Sequence, residues 1–450
     1  MVDLSKIVAL CKRRGFIFPS SDVYGGLSSV FDYGPMGAEL KRNIKNAWWK
    51  TNIHGRNDIF GFDSAILMHP TVWKSSGHVD GFTDPMIDCK ACKKRIRQDH
   101  LKNLKGTTGE CPECGAKIDF KDTPPRMFNL MLKTFLGPVE DQAAICYLRP
   151  ETAQGMFVNF INVLDSMHPK LPFGIAQIGK SFRNEVTVGN FTFRMREFEQ
   201  MEIEYFVNPA EDEKIYEKWI EERFNWYLGL GINKVNLRKR KHEKDELAHY
   251  AKACTDIEYK FGFSTGSGTG EGWAELEGVA NRQDFDLREH TKFSGKDFTY
   301  FDEQTKTKIV PYIIEPSGGV DRSVLAFLCD AYKEEQVKEK QRVVLGLHKS
   351  LAPIKAAILP LLKNRPEIVE TATRLAADLK KHFYVVYDDT AAIGKLYRRQ
   401  DEVGTPYCIT IDVQSLEDKQ VTIRERDSMQ QERIGIEKVR EYLQEKLNDK

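Results

Sequence analysis

Two segments more than a hundred residues apart constrain this chain more than anything else in it. The first is Phe182-Arg183-Asn184-Glu185, leading on to Arg194 and Phe198. The second is Glu315-Pro316-Ser317-Gly318-Gly319-Val320-Asp321-Arg322. Each joins an arginine, a carboxylate and a third group suited to a nucleotide. Arg183 can hold a phosphate through two parallel N–H donors. Phe198 can lie against a purine ring, and Arg322 can stack on its opposite face. Glu315 can hold Mg²⁺ against phosphate oxygens. The chain carries neither a Walker A loop nor a Rossmann glycine fingerprint, so the ATP site implied here is of another kind. An arginine and a glutamate in a strand are usually a surface ion pair. The weight comes from their joint occurrence, in this order, with Phe198, Glu202 and the turn from Ser317 to Arg322.

The cleanest motif by spacing alone is Cys89-x-x-Cys92, eighteen residues, then Cys111-x-x-Cys114. Two such knuckles make a four-thiolate tetrahedral zinc site. The competing reading is four incidental cysteines. Gly115 after the second knuckle and the basic, polar stretch between the pairs argue against it. That stretch has little core of its own, so metal binding would supply its folding energy. All four positions are cysteine, which leaves none open and predicts a structural zinc. A dithiol redox pair is the weaker alternative.

The nine cysteines form one cluster of four and five scattered residues, Cys11, Cys146, Cys254, Cys329 and Cys408. That is a reduced, intracellular pattern, not a disulfide framework. No apolar run approaches the ~20 residues needed to cross a bilayer, and residues 1–14 have no signal-peptide layout. The expectation is a cytoplasmic protein without a membrane. The net charge of +1 means that a nucleic-acid partner cannot be inferred from overall charge, and any basic surface must be local.

A chain of 450 residues predicts about two to three domains. Leu40, Ile44, Ala47 and Trp48 recur at helical spacing in 36–50. Ile215, Trp219, Ile220 and Phe224 do so in 211–228. Short strands are predicted at 174–178, 194–206, 272–277 and 308–315. Strands joined by long excursions point to an antiparallel α+β core rather than βαβ units. The character changes near residue 340. The predicted order is strand 343–347, helix 353–363, helix 367–382, strand 383–387, helix 391–403, strands 406–413 and 419–426, and helix 435–446. This reads as a separate α/β domain of about 110 residues, with the charged stretch 330–342 as its linker. Arg238 to Lys241 could touch nucleic acid or be a solvated face.

The two opening segments resemble motifs 2 and 3 of the class II aminoacyl-tRNA synthetases. Motif 2 reads Arg183, Glu185, a loop at 186–193, then Arg194, Phe198 and Glu202; motif 3 ends in Gly318-Gly319-Val320-Asp321-Arg322. Motif 1 is the helix at 36–50 with the strand 64–69, closed by Pro70, a proline that in the family lies at the dimer interface. Further runs resemble the glycine-specific, homodimeric members of that class. They are Leu148-Arg149-Pro150-Glu151-Thr152-Ala153-Gln154-Gly155 and Glu275-Leu276-Glu277-Gly278-Val279-Ala280-Asn281-Arg282. Ser20 to Gly26, Asp32 to Pro35 and Arg194 to Phe198 match as well. Tyr397 to Pro406 and Val421 to Asp427 resemble the anticodon-binding domain of the same enzymes.

The resemblance implies an α+β fold: an antiparallel catalytic core over 1–340, carrying a zinc insertion at about 85–122 and a helical insertion at about 209–262. An α/β anticodon-binding domain would occupy 341–450. It implies that ATP activates glycine to glycyl-adenylate and that glycine passes to the 3′ end of tRNA(Gly), in a homodimer. Glu151, Glu202 and Ser317 would surround the glycine ammonium. Arg183 would bind the α-phosphate, Phe198 the adenine ring and Glu185 the adenine amino group. Glu275 and Glu315 would hold Mg²⁺. Arg322 would face the adenine and γ-phosphate, and Arg282 the substrate carboxylate or phosphates. Arg398, Arg399, Arg424 and Arg426 fall in the domain expected to meet the anticodon. Glycine offers only an ammonium and a carboxylate, so two glutamates suit it by charge-assisted hydrogen bonds and by crowding a β-carbon. No editing domain is expected. The ordinary alternative for Glu151 and Glu202 is ion pairing with Arg149 or Arg183. At the level of function the alternatives are a class II synthetase for another amino acid and a non-catalytic, nucleic-acid-binding relative.

Overall fold

A computed structural model describes residues 2–186, 189–248, 250–263, 272–303, 305–337 and 339–448. Its centre is a seven-stranded sheet. In chain order the strands are β1 Ile59–Gly61, β2 Phe173–Phe182, β3 Glu197–Val207, β4 Leu237–Lys241, β5 Ala253–Lys260, β6 Trp273–Gln283 and β7 Tyr312–Gly319. They lie in the order β4-β5-β6-β7-β3-β2-β1. Every pairing is antiparallel except β1 with β2.

The period-2 alternation of a strand explains why one sheet makes both core and site. On β3, Met201, Ile203, Tyr205 and Val207 enter the main apolar core. Packed on that face are the helices Pro35–Trp49, Asp212–Gly229 and Val320–Ala331. Phe198, Gln200, Glu202, Glu204 and Phe206 take the alternate positions on the other face. There Phe206 joins an aromatic cluster with Phe160 and Phe173, ring centroids 4.7 and 5.1 Å away. The polar residues of the same face are left to line a cleft.

Several expectations are adjusted by the fold. The segment 209–262 is only partly helical. After the Asp212–Gly229 helix it supplies β4 and β5, which extend the central sheet. The expected strand at 64–69 contracts to Leu67–Met68, and Pro70 opens the helix Pro70–Ser75 instead. The expected linker 330–342 forms the greater part of a hairpin of Tyr332–Val337 with Lys340–Leu345. The expected helix at 353–363 is a strand, Ala356–Pro360, buried at every position and flanked in parallel by Val385–Tyr387 and Tyr407–Ile411. The strand Gln431–Gly435 was not anticipated and closes the edge of that five-stranded sheet.

Candidate functional site

A single cleft on the polar face of β3, β6 and β7 gathers Glu151, Arg183, Glu185, Phe198, Glu202, Glu275, Glu315, Ser317 and Arg322. The sheet register explains the grouping. Glu202 on β3 faces Ser317 on β7, which in turn faces Gly278 on β6. Three distant stretches of sequence thereby become one floor.

The acidic end of the cleft is built around Glu202, which is 1 % exposed. Its Oε1 accepts from the Ser317 hydroxyl at 2.6 Å, and its Oε2 accepts from the Thr152 hydroxyl. Burial and the neighbouring Glu151 both push the Glu202 carboxyl above the usual carboxylate range. Glu151 goes the other way. Burial would raise it, but His78 at 3.2 Å, Arg282 and an amide hydrogen bond from Gln154 at 3.1 Å hold it well below that range. Arg282 grips Asp286 through two hydrogen bonds of 2.8 Å and donates to Glu315 at 2.5 Å. Its guanidinium lies over the Tyr250 ring at 4.0 Å. Glu202, Glu204 and Glu315 bring carboxylate oxygens within 4.8 Å of one another. Glu204 is fully buried with neither oxygen hydrogen-bonded. Burial, then Glu315 and Glu202, push it well up, which favours its protonated form.

The alternative of ion pairing between Glu151 or Glu202 and Arg149 or Arg183 is not what the arginines do. Arg149 donates to the backbone oxygens of Lys180 at 2.7 Å and Ser64 at 2.9 Å. A β-carbon at Gly179 would lie 2.3 Å from its guanidinium, so this buried arginine needs a glycine opposite it. Arg183 donates to Pro150 O at 3.1 Å and lies 5.3 Å from the ring centres of both Phe82 and Phe198.

The other end of the cleft is cationic and aromatic. Arg322 lies over the Phe193 ring at 4.4 Å, not over Phe198, and donates to Glu275 Oε2 at 3.0 Å. Glu185 sits 3.8 Å from Arg194. Residues 187 and 188 of the expected motif 2 loop lie outside the described residues. Asp321, to which no role was given from the sequence, ties the motif together. It accepts from Tyr33 at 2.6 Å, from Lys41 at 2.8 Å and from the backbone of Glu199 at 2.7 Å.

Glu275 and Glu315, both expected to hold Mg²⁺, lie on neighbouring strands of the same cleft. Glu315 pairs opposite Ala280, five residues along β6 from Glu275, with an irregularity in the β5–β6 pairing between Glu275 and Glu277. Glu315 belongs with Arg282 at the acidic end. Glu275 has a different neighbour: a point above Gly278 lies 3.7 Å from Glu275 Oε1 and 3.8 Å from Asp256 Oδ1.

The four knuckle cysteines do converge, with all Sγ atoms within 4.8 Å of one another. The Cys89–Cys114 and Cys92–Cys111 separations are 3.7 Å. Tetrahedral thiolates with zinc–sulfur bonds of 2.3 Å would be about 3.8 Å apart, so the cluster is compatible with zinc. Both knuckles make the same turn. Lys93 N donates to Cys89 O at 2.8 Å and Gly115 N to Cys111 O at 3.0 Å, with φ of 58° and 73° at the donors.

The basic patches resolve into structure. On β4, Arg238 pairs with Glu258, Lys239 with Glu221, and Arg240 with Glu246 and Asp256. Arg424 is buried against Asp401 at 2.9 Å, and buried Arg426 donates to Gly404 O at 2.8 Å. These two hold the C-terminal domain together and are not available to bases. His78, Gln154, Asp286 and Thr152 are site residues with no assigned role in the sequence analysis. Thr152 and Gln154 lie within the matched run Leu148 to Gly155, and Asp286 stands four residues beyond Arg282; His78 left no signal.

Among the described residues no helix is long and apolar enough to cross a membrane. An anticodon-binding-domain model matches residues 355–446. A glycine–tRNA ligase of Thermobifida fusca is 52 % identical, covering 99 % of this chain and 98 % of that protein. One of Alkaliphilus oremlandii is 54 % identical with the same coverage. One of Bacillus cereus is 51 % identical over 99 % of this chain and all of its own length. Identity of about half, end to end on both sides, makes this chain a member of the glycine–tRNA ligase family.

Proposed function

We propose that the cleft activates glycine with ATP to glycyl-adenylate and then transfers glycine to the 3′ end of tRNA(Gly). The observation that carries this reading is buried Glu202, held by Thr152 and Ser317 beside Glu151 and Glu315. Such a floor suits an ammonium with no side chain attached to it, and preorganised carboxylates need no rearrangement to bind it. Glycine's carboxylate then points toward the cationic end, where ATP would lie. Arg183 would hold the α-phosphate, Phe198 would back the adenine and Glu185 would accept from its amino group. Arg322 would neutralise charge on the departing pyrophosphate. Arg282 would fix Glu315 at the acidic end. Attack of that carboxylate on the α-phosphorus, and of the tRNA ribose hydroxyl on the adenylate carbonyl, needs no side-chain nucleophile. The Mg²⁺ that accompanies ATP would meet Glu275, with Asp256 beside it, and would supply charge neutralisation on the phosphates.

The same reading assigns residues 1–340 to a class II catalytic core and 341–450 to an anticodon-binding domain. It makes the cysteine cluster a structural zinc site within 85–122, the assembly a homodimer and the compartment the cytoplasm. The antiparallel sheet with the β2–β3 hairpin and the β7-to-helix turn at Gly319 supports the class assignment. ATP–pyrophosphate exchange with each of the twenty amino acids tests the proposal. Exchange with glycine alone is expected. Exchange with a different amino acid would overturn the pocket assignment, and none with any would point to a relative without catalysis.

A further inference from the structure

We infer that His78 is a positioning residue that sets Glu151 for the substrate ammonium, an inference resting on the proposal that Glu151 binds that group. His78 opens the short helix His78–Gly81 that follows the Pro70–Ser75 helix, directly after Gly77 with φ of 80°. Its ring is fixed on three sides. Trp73 packs edge-to-face with it at 5.7 Å and Phe82 at 5.3 Å. Ser76 Oγ lies 2.8 Å from Nδ1. With the serine proton on Nδ1, Nε2 carries the ring proton and donates to Glu151 Oε2 at 3.2 Å.

The other oxygen of Glu151 is held from the opposite side. Gln154 Nε2 donates to Oε1 at 3.1 Å and to Asp286 at 3.1 Å, while its Oε1 lies 2.9 Å from His290 Nε2. His290 Nδ1 returns to Ser75 Oγ at 3.2 Å. Adjacent serines at the end of one helix thus anchor two histidines, and the chain between those histidines runs through Glu151 and Gln154. Glu151 cannot swing without breaking a hydrogen bond on each oxygen. A carboxylate fixed in this way binds the ammonium without first losing rotamer freedom. Phe82 lies between His78 and Arg183, so the ATP KM reports whether a change at position 78 has merely disturbed packing.

The test is exchange kinetics on the full-length enzyme with His78→Phe, His78→Gln, Glu151→Gln and the double variant Glu151→Gln/His78→Phe. Phenylalanine keeps the ring and loses the donor; glutamine keeps a donor at the reach of Nε2. The glycine KM of H78F should rise about tenfold, the scale of a hydrogen bond to a charged group. The ATP KM should stay within about twofold, and H78Q should recover most of the loss. In the E151Q background H78F should add less than about twofold, because both changes remove one interaction. A glycine KM unchanged in H78F overturns the inference while leaving the pocket assignment standing. So do glycine and ATP KM values that rise together without rescue by glutamine. A glycine KM unchanged in E151Q overturns the ammonium assignment itself, and the role of His78 with it.

Discussion

Glu202→Gln separates charge from shape at the centre of the pocket. Both oxygens of Glu202 accept from hydroxyls, Ser317 at 2.6 Å and Thr152. A hydroxyl can turn to donate or accept, so the amide oxygen keeps one partner and the amide nitrogen donates to the other. No buried donor is orphaned, and the fold should be retained. What is lost is the charge-assisted contact to the ammonium, about 1.5–3 kcal/mol, or about 10- to 150-fold in glycine KM. ATP is expected to meet Arg183, Phe198 and Arg322 at the other end of the cleft, so its KM should move by less than about twofold. The assay is ATP–pyrophosphate exchange, titrating glycine at saturating ATP and then ATP at saturating glycine. Equal rises in both constants, in a variant with a native circular dichroism spectrum, would refute the reasoning and return Glu202 to a structural role.

Metal analysis should find about one zinc per chain. Stripping it, or Cys111→Ser, should open residues 83–129 to proteolysis, because the apolar cluster there is a small one of six buried residues, two of them knuckle cysteines; an unchanged digestion pattern in zinc-free protein would remove the structural claim. Arg223 and Glu277, each 1 % exposed, are joined by hydrogen bonds of 2.6 and 3.1 Å. Arg223→Met should cost about 3–5 kcal/mol by leaving a buried carboxylate unpaired, seen as a lower thermal midpoint that Arg223→Met/Glu277→Leu largely restores. Glu204 has its folded pKa raised. Its contribution to stability is therefore present in full below the unfolded value of about 4.3 and is lost as pH rises through the folded value. Glu204→Gln, which mimics the protonated form, should gain thermal stability relative to the parent between pH 5 and pH 9; a difference that stays flat with pH would contradict the assignment.

What could be read from the sequence was local or periodic. The apolar spacing of the Asp212–Gly229 helix and the cysteine knuckles needed only near neighbours. So did the glycine-rich turn into Val320. The segment that became Ala356–Pro360 failed for a physical reason. A central parallel strand is apolar on both faces, so Ala356, Ala357, Ile358 and Leu359 carry no alternation, and a short apolar run is ambiguous between strand and helix. Arg424 and Arg426 of the C-terminal domain failed for another. Charge in a sequence has a sign but no address. Arg424 and Arg426 spend theirs on Asp401, Asp427 and a backbone carbonyl rather than on a partner.

Register was the deepest limit. Glu275 and Glu315 both belong to matched motifs, and nothing local tells which neighbours each will meet. The pairing of Glu315 with Ala280 sets Glu315 beside Arg282, while Glu275 meets Arg322. A shift along β6 would bring Glu315 toward Glu275 and away from Arg282, and a one-residue slip would turn Ala280 out of the cleft altogether. The register is in turn enforced by the other face of the same strands, where Val279 and Ile314 are fully buried. The apolar core beneath the sheet therefore determines which carboxylate meets Arg282 and which meets Arg322. The assignment of roles within the cleft is a consequence of packing several ångströms below it.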